Sequence, residues 1–265
     1  MSFVAVTKMH GTQNDFVISD QRKAHTIEDP AAFARQICDR RTGIGADGLL
    51  VLEPSTVADA RMRIFNADGT EAEMCGNGLR CAVRYLCELG EGKQFRIETI
   101  AGVLPADVLE TGAAYMVRAR VGIPVFETRS LPFPNAAYVV VGNPHVVIFE
   151  RDLDSRDLTA TARQLQPSPA FPDGINVHVA VCVDEHRIDA RHYERGAGLT
   201  YACGTGAVAC AAAAMRLGMA KTPVEVHVPG GVLEIEWDGE HEAFLTGPAV
   251  RVFDASVESL DATPA

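Results

Sequence analysis

The stretches CGNGLRCAVRYLCELG, residues 75–90, and CGTGAVACAAAAMRLG, residues 203–218, decide how this chain is read. Each opens Cys-Gly-x-Gly, runs on for ten residues and closes on Leu-Gly, and the two lie 128 residues apart. Other correspondences keep nearly the same offset and the same order. Asn14 falls on Asn143, ARQI (34–37) on ARQL (162–165), DG (47–48) on DG (173–174) and GVL (102–104) on GVL (231–233). Offsets this constant describe a duplication. The sequence therefore predicts two halves of one fold, 1–122 and 123–265. They join near the Pro-rich VGIPVFETRSLPFPN (121–135), and the last strand is free to return to the first half.

Local patterns agree between the halves. FVISD (16–20) and HVVIFE (145–150) read as strands, each just after one of the paired asparagines. EDPAAFARQICDR (28–40) reads as a helix with Asp29 at the N-cap and Pro30 in the first turn, and its counterpart is expected over about 155–166. DGLLVLEP (47–54) and INVHVAVCV (175–183) have the apolar, β-branched content of strands. ARMRIFN (60–66) and RIDARHYE (187–194) alternate as half-buried strands do. A helix of about three turns is predicted after each Cys-Gly-x-Gly, ended where glycine suits the C′ position. The second is almost all small residues and is expected to be wholly buried. FRIETIAGVLPADV (95–108) and VEVHVPGGVLEIEW (224–237) read as hairpins. The class is α+β, two pseudo-symmetric halves, each a mostly antiparallel sheet or barrel around a central helix. The natural place for a ligand is a cleft between the halves.

Composition narrows the functions. The chain has 265 residues, 47% hydrophobic and 22% charged, enough apolar content for a full core. A formal net charge of −11 argues against nucleic acid or an anionic membrane as partner. No apolar run reaches spanning length, and the first residues lack the pattern of a signal peptide, so the cytoplasm is the expected location. There are seven cysteines, an odd number for a cytosolic chain, and structural disulfides are not expected. No C-x-x-C or H-x3-5-H spacing encodes a metal site.

Cys75 and Cys203 are the candidates for chemistry. A thiol at a helix N-terminus meets the positive end of the helix dipole, which is expected to lower its pKa. The flanking glycines admit a ligand close to the backbone, whose N–H groups suit a carboxylate. Two such turns facing each other provide a base on one side of a carbon stereocentre and an acid on the other. The remaining cysteines, Cys38, Cys81, Cys87, Cys182 and Cys210, read as small core hydrophobes.

In their longer context these motifs resemble the diaminopimelate epimerase family. KMHGTQNDFV (8–17), GIGADG (43–48) and RIFNADGTEAEMCGNGLRC (63–81) are similar to its first-half motifs. GNPH (142–145), INV (175–177) and ERGAGLTYACGTGA (194–207) are similar to those of its second half. The resemblance runs from about Lys8 to Gly247. It implies a cofactor-independent, two-base epimerase that interconverts LL- and meso-diaminopimelate for lysine and peptidoglycan synthesis. Its partner is a small-molecule substrate, and the family's habit implies a homodimer. By the family's labelling Cys75 is proton donor and Cys203 acceptor, with roles exchanged in the reverse direction. Gly76 with Asn77, and Gly204 with Thr205, resemble the turns that hold the carboxylate at the reacting centre. His145 and Glu194 resemble the groups that help the thiols shuttle protons. Asn14, Asn66, Asn143, Asn176 and Arg195 resemble the substrate-binding set, with Glu194 matching the distal ammonium and Arg195 the distal carboxylate.

Plainer roles stand beside these. Asn14, Asn66 and Asn143 fit ordinary turns, His145 fits a hydrogen-bonded core histidine, and Glu194–Arg195 fits a surface pair. Three positions depart from the family pattern. GTQND (11–15) replaces the usual Gly-Leu-Gly before Asn-Asp, Gly48 stands where some members carry Gln, and Leu199 stands where Glu is usual. These leave open a racemase or epimerase of another amino acid. A binding or redox-sensing protein on the same scaffold is a further alternative, though one with no need of both thiols.

Overall fold

The computed structural model describes residues 3–24, 27–172 and 174–258, and it divides the chain into two compact units. The first unit runs up to Ala119 and resumes at Pro248; the second is Arg120–Gly247. Asp173, half of one DG correspondence, lies outside the described residues.

In the first unit the order is β1 (Phe3–Gly11), β2 (Asn14–Asp20), α1 (Pro30–Ile37), β3 (Gly48–Glu53), β4 (Ala60–Asn66), β5 (Glu71–Ala72), α2 (Gly76–Glu88), β6 (Gln94–Thr99) and β7 (Gly102–Glu110). β8 (Tyr115–Gly122) then leads out of it. β2 and β3 are parallel, β3 and β4 antiparallel, β4 and β6 parallel, and β6 and β7 form a hairpin. The second unit holds β9 (Val125–Phe126), β10 (Ala136–Val141), β11 (Asn143–Phe149), α3 (Leu158–Leu165), β12 (Asn176–Asp184), β13 (Arg187–Glu194), β14 (Gly198–Thr200), α4 (Gly204–Arg216), β15 (Val224–Val228) and β16 (Gly231–Glu236). The pairing repeats: β11 with β12 parallel, β12 with β13 antiparallel, β13 with β15 parallel, β15 with β16 antiparallel. The duplication read from sequence is thus present strand by strand. β17 (Ala243–Glu258) starts in the second unit and ends in the first, where it pairs with β1 from Phe3–Glu258 to His10–Val250.

The period of two along each strand sends alternate residues to two cores. From β3, Leu50 and Leu52 pack with Leu79, Val83 and Leu86 of α2, while Leu49 and Val51 pack with Phe33 and Ile37 of α1. From β12, Ala180 packs on the α4 side, and Val177 and Val179 pack with Leu158 and Leu165 of α3. Each unit is therefore a sheet with a central helix on one face and a short helix on the other. α4 is buried without a break from Gly206 to Ala214, as expected, because small side chains let strands close around the backbone. Alanine also has the highest helix propensity, so close enclosure costs α4 nothing in local stability.

Helix ends follow the predicted chemistry. The Asp29 carboxylate accepts from Ala32 N at 3.0 Å, and Pro30 opens α1. The α1 counterpart starts later than predicted, at Leu158, because Asp157 caps it through Ala160 N at 2.9 Å, while Leu153–Ser155 forms a separate 3-10 turn. Gly90 and Gly218 follow α2 and α4 at φ 82° and 72°, left-handed values that favour glycine.

Candidate active site

Each thiol is the N-cap of its central helix. Cys75 has φ −143° and ψ 117°, and its sulfur accepts from Gly78 N at 3.5 Å. Cys203 has φ −121° and ψ 112°, and its sulfur accepts from Gly206 N at 3.3 Å. The extended cap conformation followed by Gly-x-Gly turns the sulfur over the first helical turn, whose N–H groups point out of the helix end. The two caps are the same local structure made twice.

Around Cys75 the structure gathers Asn14 and Asn77. Asn14 Oδ1 accepts from Asn77 Nδ2 at 3.0 Å and lies 3.7 Å from the sulfur. Asn14 Nδ2 donates to the Asp47 carboxylate at 2.8 Å. Asn77 is buried, and its Oδ1 accepts from Arg80 Nη2 at 2.9 Å and from Thr12 Oγ1 at 3.4 Å. Arg80 is fully buried, and its other contacts include the carbonyls of Gly76 and Pro248 at 3.4 and 3.3 Å. Burial pulls this guanidinium down to about 10, against the upward pull of Cys81 and Cys75. A cation held in a low-dielectric setting attracts a thiolate at Cys75. In the GTQND loop, Thr12 and Gln13 adopt φ 49° and 64°. Gln13 holds without glycine the left-handed turn that presents Asn14.

Around Cys203 the structure gathers Thr205 and Glu194. Thr205 Oγ1 lies 3.7 Å from the sulfur, and the thiol also hydrogen-bonds to Glu194, whose carboxylate accepts from Thr200 Oγ1 at 2.6 Å. The sequence leads one to expect a lowered thiol pKa; the structure reverses that at Cys203. Burial first and the Glu194 charge second hold it well above its ordinary value, outweighing the donations from Thr205 and Gly206. Cys203 is accordingly a neutral thiol in this structure.

His145 is wholly buried on β11, and its Nδ1 lies 2.8 Å from Nε2 of His178 on β12. His178 Nδ1 lies 2.7 Å from Nδ1 of His192 on β13. The row touches the helix cap: a Cβ on Gly206 would stand 2.6 Å from His178 Cε1 and 3.0 Å from both His178 Nε2 and Cys203 Sγ. Among the described residues no group of histidines, cysteines and carboxylates has the arrangement of a metal site.

Asn66 is exposed, and its side chain binds Thr70 Oγ1 at 2.9 Å within its own turn. Asn176 is engaged at both ends by backbone, donating to Pro144 O at 3.0 Å and accepting from Arg195 N at 2.9 Å. It braces β11 to the start of the 195–198 loop. Asn143, equivalent to Asn14, has a buried Oδ1 with no partner among the described residues. Arg195 is exposed, with its stem lying over Gly174. Leu199 is 62% exposed on β14, and a Cβ on Gly48 would meet Phe65 O at 2.8 Å. The other cysteines are passive: burial pushes Cys38 and Cys81 up to about 12 and raises Cys87, Cys182 and Cys210. A surface concavity of about 360 Å³ between Asp184, His186, Arg187, Pro223, Glu225 and Glu234 contains none of these groups.

Sequence reasoning missed Arg80, Thr12, His178 and His192. The histidines carried a signal: they occupy inward positions of strands whose other inward residues are apolar. Arg80 carried none, because an arginine one turn into a helix usually faces solvent.

Comparison with known proteins adds relatives along nearly the whole chain. The diaminopimelate epimerase family profile matches residues 6–126 and 137–252. The diaminopimelate epimerase of Rhizorhabdus wittichii is 45% identical over 95% of this chain and 94% of its own. That of Sphingopyxis alaskensis is 43% identical over 95% and 96%, and that of Archaeoglobus fulgidus 42% over 95% and 95%. Among solved structures, a Bacillus anthracis phenazine biosynthesis protein of the PhzF family superposes with TM-score 0.74 at 18% identity, covering 97% of this chain and 100% of that one. A hydroxyproline epimerase from Agrobacterium vitis gives TM-score 0.73 at 15% identity, covering 98% and 94%. At that identity these two share the fold.

Proposed function

Because the chain belongs to the diaminopimelate epimerase family, we propose that it interconverts LL- and meso-2,6-diaminopimelate, one thiolate removing the α-proton and the other thiol returning one. The observation that carries this reading is the matched pair of N-cap thiols, Cys75 and Cys203, each on Gly-x-Gly at the start of a central helix. Inversion at a carbon requires proton removal from one face and delivery to the other, and two equivalent thiols supply both. The first-turn N–H groups at Gly76–Asn77 and Gly204–Thr205 suit the α-carboxylate, and they stabilise charge as it builds there during abstraction.

The two thiols stand in different surroundings. Cys203 is buried beside Glu194, so to act as base it must first lose its proton, and His145 and Glu194 are the neighbours assigned to that transfer. Cys75 has the buried Arg80 charge near it, and the two thiols exchange the roles of acid and base with the direction of reaction. The unpartnered Asn143 Oδ1 suits the substrate's α-ammonium. At the far end, Glu194 and Arg195 match an ammonium and a carboxylate, with Arg195 able to bind the latter through two N–H groups. The enzyme is proposed to work as a cytoplasmic homodimer, without nucleic acid or membrane partners.

In deuterated water the purified protein should exchange the α-proton of LL-diaminopimelate and form the meso isomer under reducing conditions. Absence of both would sink the reading. A panel of monocarboxylic amino acids tests substrate identity: turnover of one of them with diaminopimelate inert would assign a different racemase. Cys75→Ala should lose turnover while still binding ligand, and surviving turnover would exclude the two-thiol mechanism.

A further inference from the structure

His145, His178 and His192 form an unbroken row across β11, β12 and β13, and all three are wholly buried. Three imidazoles inside a core are costly unless they are hydrogen-bonded or used. The duplication supplies an internal control. In the first unit Phe16 pairs with Gly48 as His145 pairs with Asn176, and Leu50 pairs with Ile64 as His178 pairs with His192. Phe16, Leu50 and Ile64 all pack into the core around α2. The scaffold thus accepts apolar residues at all three positions, and the second unit carries histidines there for some other reason.

The proton count shows what the row can do. Burial holds His145 and His192 down to about 3 and His178 well below its ordinary value, so all three rings are neutral near pH 7. A neutral ring has one N–H, so two hydrogen bonds joining three rings allow two arrangements. In the first, His145 and His178 carry hydrogen on Nε2 and His192 on Nδ1. In the second, His145 and His178 carry it on Nδ1 and His192 on Nε2. His145 Nε2 is a donor in the first arrangement and a bare acceptor in the second. His145 Nε2 and His192 Nε2 are both buried and have no hydrogen-bond partner among the described residues.

We propose that His178 and His192 are positioning residues that set the tautomer and ring orientation of His145. The proposal rests on the reading of His145 as a proton shuttle. Its location fits, because the His145–His178 hydrogen bond lies against Gly206 in the helix cap that carries the thiol. In the second arrangement His145 Nδ1 donates to His178 Nε2, and His145 Nε2 is bare and able to take a proton; in the first, His145 Nε2 holds the proton it can give. Only the second unit has this device, so it serves one thiol of the pair.

Two measurements test this. Nitrogen-15 NMR of histidine-labelled wild type should show His145 and His178 as the same tautomer and His192 as the opposite one. Any other combination, or an imidazolium in the row near neutral pH, overturns the proposal. The double variant His178→Leu/His192→Ile copies the apolar pair of the first unit and should fold with undiminished thermal stability. Its kcat should fall on the order of 10–100-fold with KM unchanged, the range expected when a proton-transfer group loses its support. A folded double variant with wild-type kcat overturns the proposal; if it does not fold, the tautomer pattern decides. Wild-type turnover of LL-diaminopimelate is measured alongside, so failure of the functional reading is seen separately.

Discussion

Gly206→Ala, set against Gly78→Ala, tests how tightly the second thiol is held. The two glycines are equivalent in the repeat and each donates its N–H to its own cysteine. A Cβ at Gly78 meets Leu50 Cδ2 at 3.1 Å, the tip of a flexible side chain that can turn aside. A Cβ at Gly206 meets His178 Cε1 at 2.6 Å and Cys203 Sγ at 3.0 Å, and His178 is pinned by hydrogen bonds of 2.8 and 2.7 Å. Helix propensity favours either alanine by up to about 1 kcal/mol. Crowding that nothing relieves costs about 1–3 kcal/mol, and a broken hydrogen bond adds about 1 kcal/mol. Gly78→Ala should therefore be close to neutral. Gly206→Ala should lose about 1–3 kcal/mol, which at about 2–4 °C per kcal/mol is readable by calorimetry. Displacing the sulfur and ring by a few tenths of an ångström upward should also lower turnover, by up to about a hundredfold. If both variants melt with the wild type and epimerise at its rate, the packing argument for the cap is wrong.

Other outcomes follow from the charges and turns. The buried histidines bind protons below pH 6.5 only when unfolded, since the native rings of His145 and His192 resist protonation down to about 3. Stability should rise with pH across that window, and His178→Leu/His192→Ile should flatten this acid limb in urea titrations. At Asp15 burial pushes the carboxyl up, but hydrogen bonds from Arg40 and Lys8 prevail and hold it at about 2. It contributes stability above the unfolded value near 3.8 and loses it as pH falls through 2. Asp15→Asn should cost about 1–2 kcal/mol at pH 7 after allowance for solvent screening, and little at pH 2. Gln13→Gly should stabilise by about 1 kcal/mol, since glycine accepts φ 64° without strain, and an unchanged urea midpoint would refute the strain at this loop.

The duplication, the strands and both central helices were legible because they rest on spacing: period two, glycine after Leu89 and Leu217, and a constant offset. Helix α3 was misplaced by its start because Asp154, Asp157 and Ser155 all offer capping oxygens, and only the fold selects Asp157. Cys75 and Cys203 stood out through their glycines. The raised pKa of Cys203 did not, because it depends on how far α4 is enclosed and on Glu194, which lies nine residues away along the chain. His178 and His192 are visible in sequence as histidines in an apolar alternation, but their pairing across the ladder is set by register. Arg80 was not readable at all, since its partners Thr12, Asn77 and Pro248 come from three separate segments.

The pairing of β1 with β17 has a consequence for how the molecule is made. Thr7 bonds to Asp254 at 2.7 Å, while Arg84 of α2 reaches Ala249 O at 2.7 Å and Glu88 reaches Arg251 at 2.6 Å. The first unit is therefore incomplete until its last strand emerges from the ribosome. At about 5–20 residues per second the nascent segment up to Ala119 waits roughly seven to thirty seconds for it. The second unit, contiguous in sequence, is free to fold first, so the half whose synthesis starts earlier is the half that finishes last.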